Sequence, residues 1–263
     1  MRVCRDGRKP RGYYVQTGAH NLVAALKAHG LTTYFANPGT SEMQLVSAIG
    51  GTQGVRSILA LFEGVATGAA DGFARMTGTP AGCLLHLGPG FGNGWANLHN
   101  ASRAHSPVLA IVGDHATDHL ALDAPLTSNL GGLSASVSQS VLTAGAGSDL
   151  AQVGSAALKA AYADGGSIST LIVPSDLAWS DAPETGRQAE QPTLDLAPVS
   201  GEAIDSAVAA LKGPGRRILL AGGRAVRGAA LDRLGQIADA TGAELIAETF
   251  TARAERGAGR VPL

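Results

Sequence analysis

Charge and aromatic rings are both scarce in this chain: 16% of its 263 residues are Asp, Glu, Lys or Arg, and 4% are Phe, Trp or Tyr. The core must therefore be filled by Ala, Val, Leu and Ile. A net charge of −1 gives no electrostatic footprint for nucleic acid or for an anionic membrane, so a small molecule is the expected partner. Only two cysteines occur, Cys4 and Cys83. They fit neither a disulfide framework nor a metal-ligand spacing, so a reducing, cytoplasmic location is expected. No uninterrupted apolar run reaches about 18 residues, the length that reads as membrane-spanning. The first residues, MRVCRDGRKPRGYY, are basic but lead into no apolar signal segment, and 1–15 are expected to form a disordered extension.

What the chain has instead is glycine, 36 residues, within a composition that is 45% hydrophobic. That combination suits α/β layers packed through close backbone approaches. From residue 18 onward, helical and strand-like patterns alternate, which predicts a mostly parallel sheet with helices on both faces. Strands are expected at TTYFA (32–36), VRSILAL (55–61), AGCLLHL (81–87), PVLAIVG (107–113) and STLIV (169–173). Helices are expected at 18–29, after Thr40 or Ser41 as cap, at 63–77, from about 93 to 104, and at 148–163. Residues 88–94, GPGFGNG, read as a loop, and 114–146 as a long irregular segment. This domain spans 16–176. Pro183, Pro192 and Pro198 mark a linker at 177–199. From 200 to 263 a helix, RRILLAGG, a second helix and AELIAE follow. They read as a Rossmann-like βαβ unit cut off partway, with apolar surface left uncovered.

Three successive strand ends carry groups that can act on a ligand. They are Asn37-Pro38-Gly39-Thr40, then Glu63, then His86-Leu87-Gly88-Pro89-Gly90. In a parallel α/β sheet all three fall on the carboxyl-terminal edge, where ligands bind. Glu63 starts a helix, where the dipole favours a carboxylate. Gly64, Gly68 and Gly72 form a stripe along that helix, and each costs about 0.8–1.0 kcal/mol against alanine, so a close neighbour is expected against that face. GPGFGNG fails the dinucleotide fingerprint, because the sixth position from Gly88 is Asn93 and from Gly90 is Trp95. GGRAVRG at 222–228 also lacks the spacing. His115 and His119 stand four apart beside Asp114 and Asp118, but without a further ligand cluster they read as a polar loop rather than a zinc site. The remaining histidines read as surface or structural residues, Trp95 as core, and the arginines after 250 as a solvated tail.

FANPGTSE, LALFEGVATGAADGFARMTG, LLHLGPGFGNGWANLHNA and SPVLAIVGD, in this order and spacing, resemble the N-terminal pyrimidine-binding domain of thiamine diphosphate enzymes of the acetolactate synthase and benzoylformate decarboxylase family. The resemblance covers about 18–175, and 198–263 is similar to the first part of that family's central domain. It implies that Glu63 hydrogen-bonds a ring nitrogen of the cofactor's aminopyrimidine and drives it toward the imino form, which generates the carbanion that attacks a 2-oxo acid. It also implies that Thr40 and His86 face the substrate. Asn37, Pro38, Gly39, Gly88, Pro89, Gly90 and Asn93 would contact the cofactor. His86 points toward benzoylformate-type decarboxylation, whereas Gly88-Pro89-Gly90 is more like acetolactate synthases. The family's Gly-Asp-Gly and Asn pair, which hold Mg²⁺ and the diphosphate, do not occur in this sequence. Mg²⁺ is therefore expected only with a further domain, and FAD is not assigned. The resemblance further implies a homodimer or homotetramer, or a partner chain carrying the diphosphate-binding domain. A catalytically inactive binding or dimerisation module is the alternative.

Overall fold

The computed structural model of this protein describes residues 16–182 and 198–263; the extension expected at 1–15 and most of the expected linker lie outside them. In the first domain the chain order is α1 (Gly18–Ala28), β1 (Thr33–Asn37), α2 (Met43–Gly51), β2 (Arg56–Leu59), α3 (Glu63–Thr77), β3 (Ala81–His86), α4 (Leu87–Arg103) and β4 (Val108–Asp114). It continues with α5 (Leu130–Ala135), β5 (Ser140–Thr143), α6 (Leu150–Ala161), β6 (Ile168–Pro174) and α7 (Ser175–Trp179). The six strands form one sheet in the order β2-β1-β3-β4-β6-β5, and every neighbouring pair is parallel.

The period-two alternation of the strands divides the core into two layers. Leu84, Leu109, Ile111, Leu171 and Val173 face one side, where α1, α2 and α6 cover them with Leu22, Leu26, Leu45, Ile49 and Leu158. Cys83, Leu85, Val108, Ala110, Val112, Ile168 and Ile172 face the other, under α3 and α4 with Ala66, Ala70, Phe91 and Leu98. Both faces are buried, so the central strands read as continuous apolar runs. Burial also pushes the Cys83 thiol well above its ordinary range, which leaves it a packing residue.

Several expectations shift. GPGFGNG is helical: α4 starts at Leu87 and contains all of it. Gly90 and Gly94 are bare where this helix lies close to α3. A methyl group on Gly94 would come within 2.6 Å of Thr67 Cγ2. The segment 114–146 is not irregular throughout. SVLT pairs with β6 as the edge strand β5 and α5 precedes it, since four residues are too short for a periodic pattern but long enough for a ladder. The linker starts later than 177. Helix α7 packs on the domain, the Gly18 N–H donates to Ser180 O at 2.9 Å, and Thr17 forms an antiparallel bridge with Asp181. Neither Thr40 nor Ser41 caps α2; residues Thr40–Glu42 make a 3₁₀ turn and Glu42 occupies the capping position.

The glycine stripe of α3 is divided. The carbonyl of Gly64 accepts from Asn97 Nδ2 at 2.7 Å, and a Cβ on Gly68 would meet the same amide at 3.0 Å, so both positions adjoin α4. A Cβ on Gly72 would meet nothing within 4 Å among the described residues, between exposed Val65 and Met76.

The second unit contains α8 (Gly201–Lys212), β7 (Ile218–Ala221), α9 (Gly228–Thr241) and β8 (Glu244–Ala247), with β7 and β8 parallel. Ile204, Val208, Ile218 and Leu220 are exposed, as the sequence leads one to expect. The arginines after 250 are not simply solvated. Arg253 donates to Met76 O at 3.2 Å, and Arg75 reaches the carbonyls of Thr251 and Ala252.

Two alanine substitutions separate helix propensity from packing. Gly72→Ala is expected to stabilise the fold by up to about 1 kcal/mol. Gly94→Ala gains the same propensity but overpacks Thr67 at a cost of about 1–3 kcal/mol, and should fall at or below the wild type. Denaturant midpoints at constant m-value measure both, and equal shifts would mean that Gly94 makes no close approach.

Candidate active site

The sheet order creates the site. From β1 the chain goes to α2 on one face and β2 on one side, whereas from β3 it goes to α4 on the opposite face and β4 on the other side. The two connections diverge and leave a crevice at the carboxyl ends of β1 and β3, the switch point at which open α/β sheets bind ligands. Asn37 at the end of β1 is in register with Leu85, one residue before His86. Asn37 Nδ2 donates to Ala60 O at 2.8 Å and ties this end to the turn after β2.

Glu42 and His86 meet across this crevice. The carboxylate of Glu42 is fully buried. Its Oε2 accepts from the Gly39 N–H at 2.7 Å and pairs with His86 Nδ1 at 2.9 Å. Its Oε1 has no hydrogen-bond partner among the described residues and occupies the place where residue 113 would carry a side chain; Gly113 has none. A side chain on residue 39 would likewise overlap the His86 ring. Burial raises the Glu42 pKa, while the Gly39 amide and the His86 ring oppose that rise. Directly after His86 the chain turns through Leu87, whose φ of +52° is a left-handed conformation for a bulky residue. Backbone of this kind costs about 1–3 kcal/mol and is found where a site requires it. Leu87 is itself buried, which holds the turn in place.

The second group centres on Glu63, in the first turn of α3, with extended Phe62 before it. Glu63 is half-buried. Its Oε2 accepts from Asn93 Nδ2 at 3.0 Å, and its Oε1 lies 3.2 Å from where a Cβ on Gly90 would stand. The same Cβ would be 3.4 Å from His86 Cβ, so the bare Gly90 separates the two groups. Thr67 Oγ1 locks the helices below them, lying within 3.0 Å of Glu63 O and 3.1 Å of Gly94 O.

The structure thus brings together Asn37, Gly39, Glu63, His86, Gly90 and Asn93. Thr40 and Pro89 lie exposed at the rim, with Pro38 half-buried behind them. Gly88 and Gly90 are both buried, Gly88 against Ser128 and Gly90 beside Glu63 and His86. Sequence reasoning missed Glu42 and Gly113. The available clues were a glutamate three residues after the glycine of Asn37-Pro38-Gly39 and a glycine ending the apolar run VLAIVG. Among the described residues, no group of three or more His, Cys, Asp or Glu is arranged to hold a metal ion, and no helix is long and apolar enough to cross a membrane.

Residues 16–140 match the family described as thiamine pyrophosphate enzyme, N-terminal TPP binding domain. Over 92% of this chain the sequence is 46% identical to IlvX of Mycobacterium tuberculosis, which is named provisionally as an acetolactate synthase large subunit, and the match covers 46% of that protein. A stretch of 101 residues, 38% of this chain, is 41% identical to benzoylformate decarboxylase from Pseudomonas aeruginosa, over 19% of that protein. Among solved structures, the thiamine diphosphate-dependent 4-hydroxybenzoylformate decarboxylase of Rhodococcus jostii superposes with a TM-score of 0.78 at 25% identity, over 88% of this chain and 44% of that one. The chain spans less than half the length of each of these proteins.

The Glu42 environment predicts a pH dependence. A carboxyl whose folded pKa lies above its unfolded value contributes stability that is fully present below the unfolded pKa, about 4.3, and is lost as pH rises through the folded value. Glu42→Gln removes that loss. Its unfolding free energy relative to wild type should rise as pH climbs from about 4.3 through the raised folded value of Glu42, and level off above it. Denaturant titrations at several pH values measure this, and a flat or falling difference would contradict a pKa raised by burial.

Proposed function

We propose that this chain, whose residues 16–140 belong to the thiamine pyrophosphate enzyme family as its N-terminal domain, activates thiamine diphosphate for reaction with a 2-oxo acid, with Glu63 acting on the cofactor and His86 on the substrate. The observation that carries this reading is the placement of Glu63. Its carboxylate stands at the switch-point edge, steadied at Oε2 by Asn93, while Oε1 faces the bare Gly90.

The donor set fits the group. A half-exposed carboxylate next to a glycine without a side chain gives a flat heterocycle both a hydrogen-bond acceptor and room to approach. Bound thiamine diphosphate supplies a thiazolium carbon that adds to the 2-oxo group and accepts the electrons left when carbon dioxide departs. Glu63 holds a proton at the pyrimidine ring nitrogen. Asn93 keeps that carboxylate from rotating away, and Thr67 fixes the helix that carries it. Gly39 and Gly90 keep the floor of the crevice clear, with Asn37 and Pro38 shaping the turn beneath it. His86 exchanges a proton with the substrate through Nε2, and Thr40 supplies a hydroxyl at the rim. The diphosphate and Mg²⁺ require oxygen ligands that a further domain or a partner chain has to provide.

Decarboxylation of an aryl 2-oxo acid is favoured over acetolactate formation by the histidine at the end of β3. The alternative, a module that binds copies of itself without catalysis, draws support from the open face of α3 at Val65, Gly72 and Met76.

Glu63→Gln in the complete assembly is expected to lower 2-oxo acid turnover by about 10²- to 10⁴-fold, the range for loss of a positioned acid or base. Exchange of the thiazolium C2 proton with deuterated solvent should slow in parallel. Unchanged turnover with glutamine at 63 would remove Glu63 from cofactor activation.

A further inference from the structure

We infer that Glu42 is a positioning residue that fixes the tautomer of His86, keeping a proton on Nδ1 and the lone pair of Nε2 free for the substrate, and that Gly39 and Gly113 are glycines because the pair needs their space. The inference rests on the proposed placement of His86 at the substrate, but its geometry is independent of any cofactor.

Three observations support it. First, Oε2 of Glu42 already accepts the Gly39 N–H at 2.7 Å, so the 2.9 Å contact with His86 Nδ1 is best satisfied by a proton on the nitrogen. Free neutral histidine favours the proton on Nε2, so the carboxylate reverses the intrinsic preference. Second, the pair has been built into a place where side chains are excluded. A Cβ on residue 113 would collide with Oε1 of Glu42, and a Cβ on residue 39 would collide with the imidazole. Third, the two groups differ in access. The Glu42 side chain is 0% exposed and that of His86 is 23% exposed, so one partner anchors and the other can reach a ligand. The left-handed turn at Leu87 fixes the backbone directly after the ring, and Glu42 fixes the rotation that the backbone leaves open.

A carboxylate used in this way does not touch the reacting atoms. It acts through His86 by deciding which nitrogen can take up a proton. A simple packing role for Glu42 would predict effects on stability alone, whereas a tautomer lock predicts a spectroscopic change at a residue 44 positions away in sequence.

The test is ¹⁵N–¹H correlation of the histidine rings in the chain labelled at histidine, at about pH 8.5, well above the ordinary histidine range. In the wild type, His86 should show its proton on Nδ1. Glu42→Gln retains a carbonyl acceptor and should keep that pattern. Glu42→Leu and Gly113→Ala remove or displace the acceptor and should move the proton to Nε2. A wild-type His86 protonated on Nε2, or the same tautomer in wild type, Glu42→Leu and Gly113→Ala, would overturn the inference. The wild-type spectrum decides the matter even if the Leu and Ala variants do not fold. In the complete assembly, Glu42→Leu should lower kcat by at least about 10-fold and leave KM within about 2-fold. Glu63→Gln should leave the His86 spectrum unchanged, so a failure of cofactor activation by Glu63 and a failure of the lock give different results.

Discussion

The candidate site depends on one constraint: at the switch point between β1 and β3, charged side chains must sit where the sheet and its helices leave almost no room. The connections diverge to opposite faces and open a crevice, but the crevice stays usable only because residues 39, 90 and 113 have no side chains. Each bare α-carbon faces a specific group, the His86 ring, the Glu63 carboxylate and the Glu42 carboxylate respectively. Close packing of the interior makes such space discrete, since a single methyl group displaces the partner.

Two carboxylates on neighbouring elements meet different fates for the same physical reason. Glu42 is removed from water behind the sheet edge and depends on an amide and an imidazole for stabilisation. Glu63 begins a helix in contact with solvent and accepts a hydrogen bond from Asn93. Environments that separate the properties of like groups are what allow a site to assign them separate tasks. In this chain one carboxylate is buried against an imidazole and the other is half-buried beside Asn93 and Gly90.

Most of the layered fold was legible along the chain. Apolar runs such as PVLAIVG and STLIV, bounded by turn residues, mark strands buried on both faces, and α1, α3, α6 and α9 follow their apolar periodicity. Where local reasoning failed, a tertiary contact overrode it. GPGFGNG looks like a loop because glycine is a poor helix former, yet it is helical, and at Gly90 and Gly94 the nearness of Glu63 and Thr67 on α3 leaves no room for larger residues. SVLT looks irregular because four residues carry no period, yet β6 offers it a ladder. The stripe of Gly64, Gly68 and Gly72 looks continuous because helical spacing is regular, yet Gly64 and Gly68 adjoin α4 while Gly72 is exposed, with no described atom within 4 Å of where its side chain would start.

The sequence by itself determined the α/β layering, the family, and the presence of Glu63 and His86 at strand ends, because strand and helix periodicity and motif order are properties of a linear chain. Only the tertiary structure decided that Glu42 stands behind His86, that Gly113 makes room for it, and that Gly88 packs on Ser128 while Gly90 faces the crevice. Most of those relations join residues far apart along the chain, 44 positions for Glu42 and His86, and the reason is steric: what a side chain can do is set by which backbone lies within a few ångströms of it.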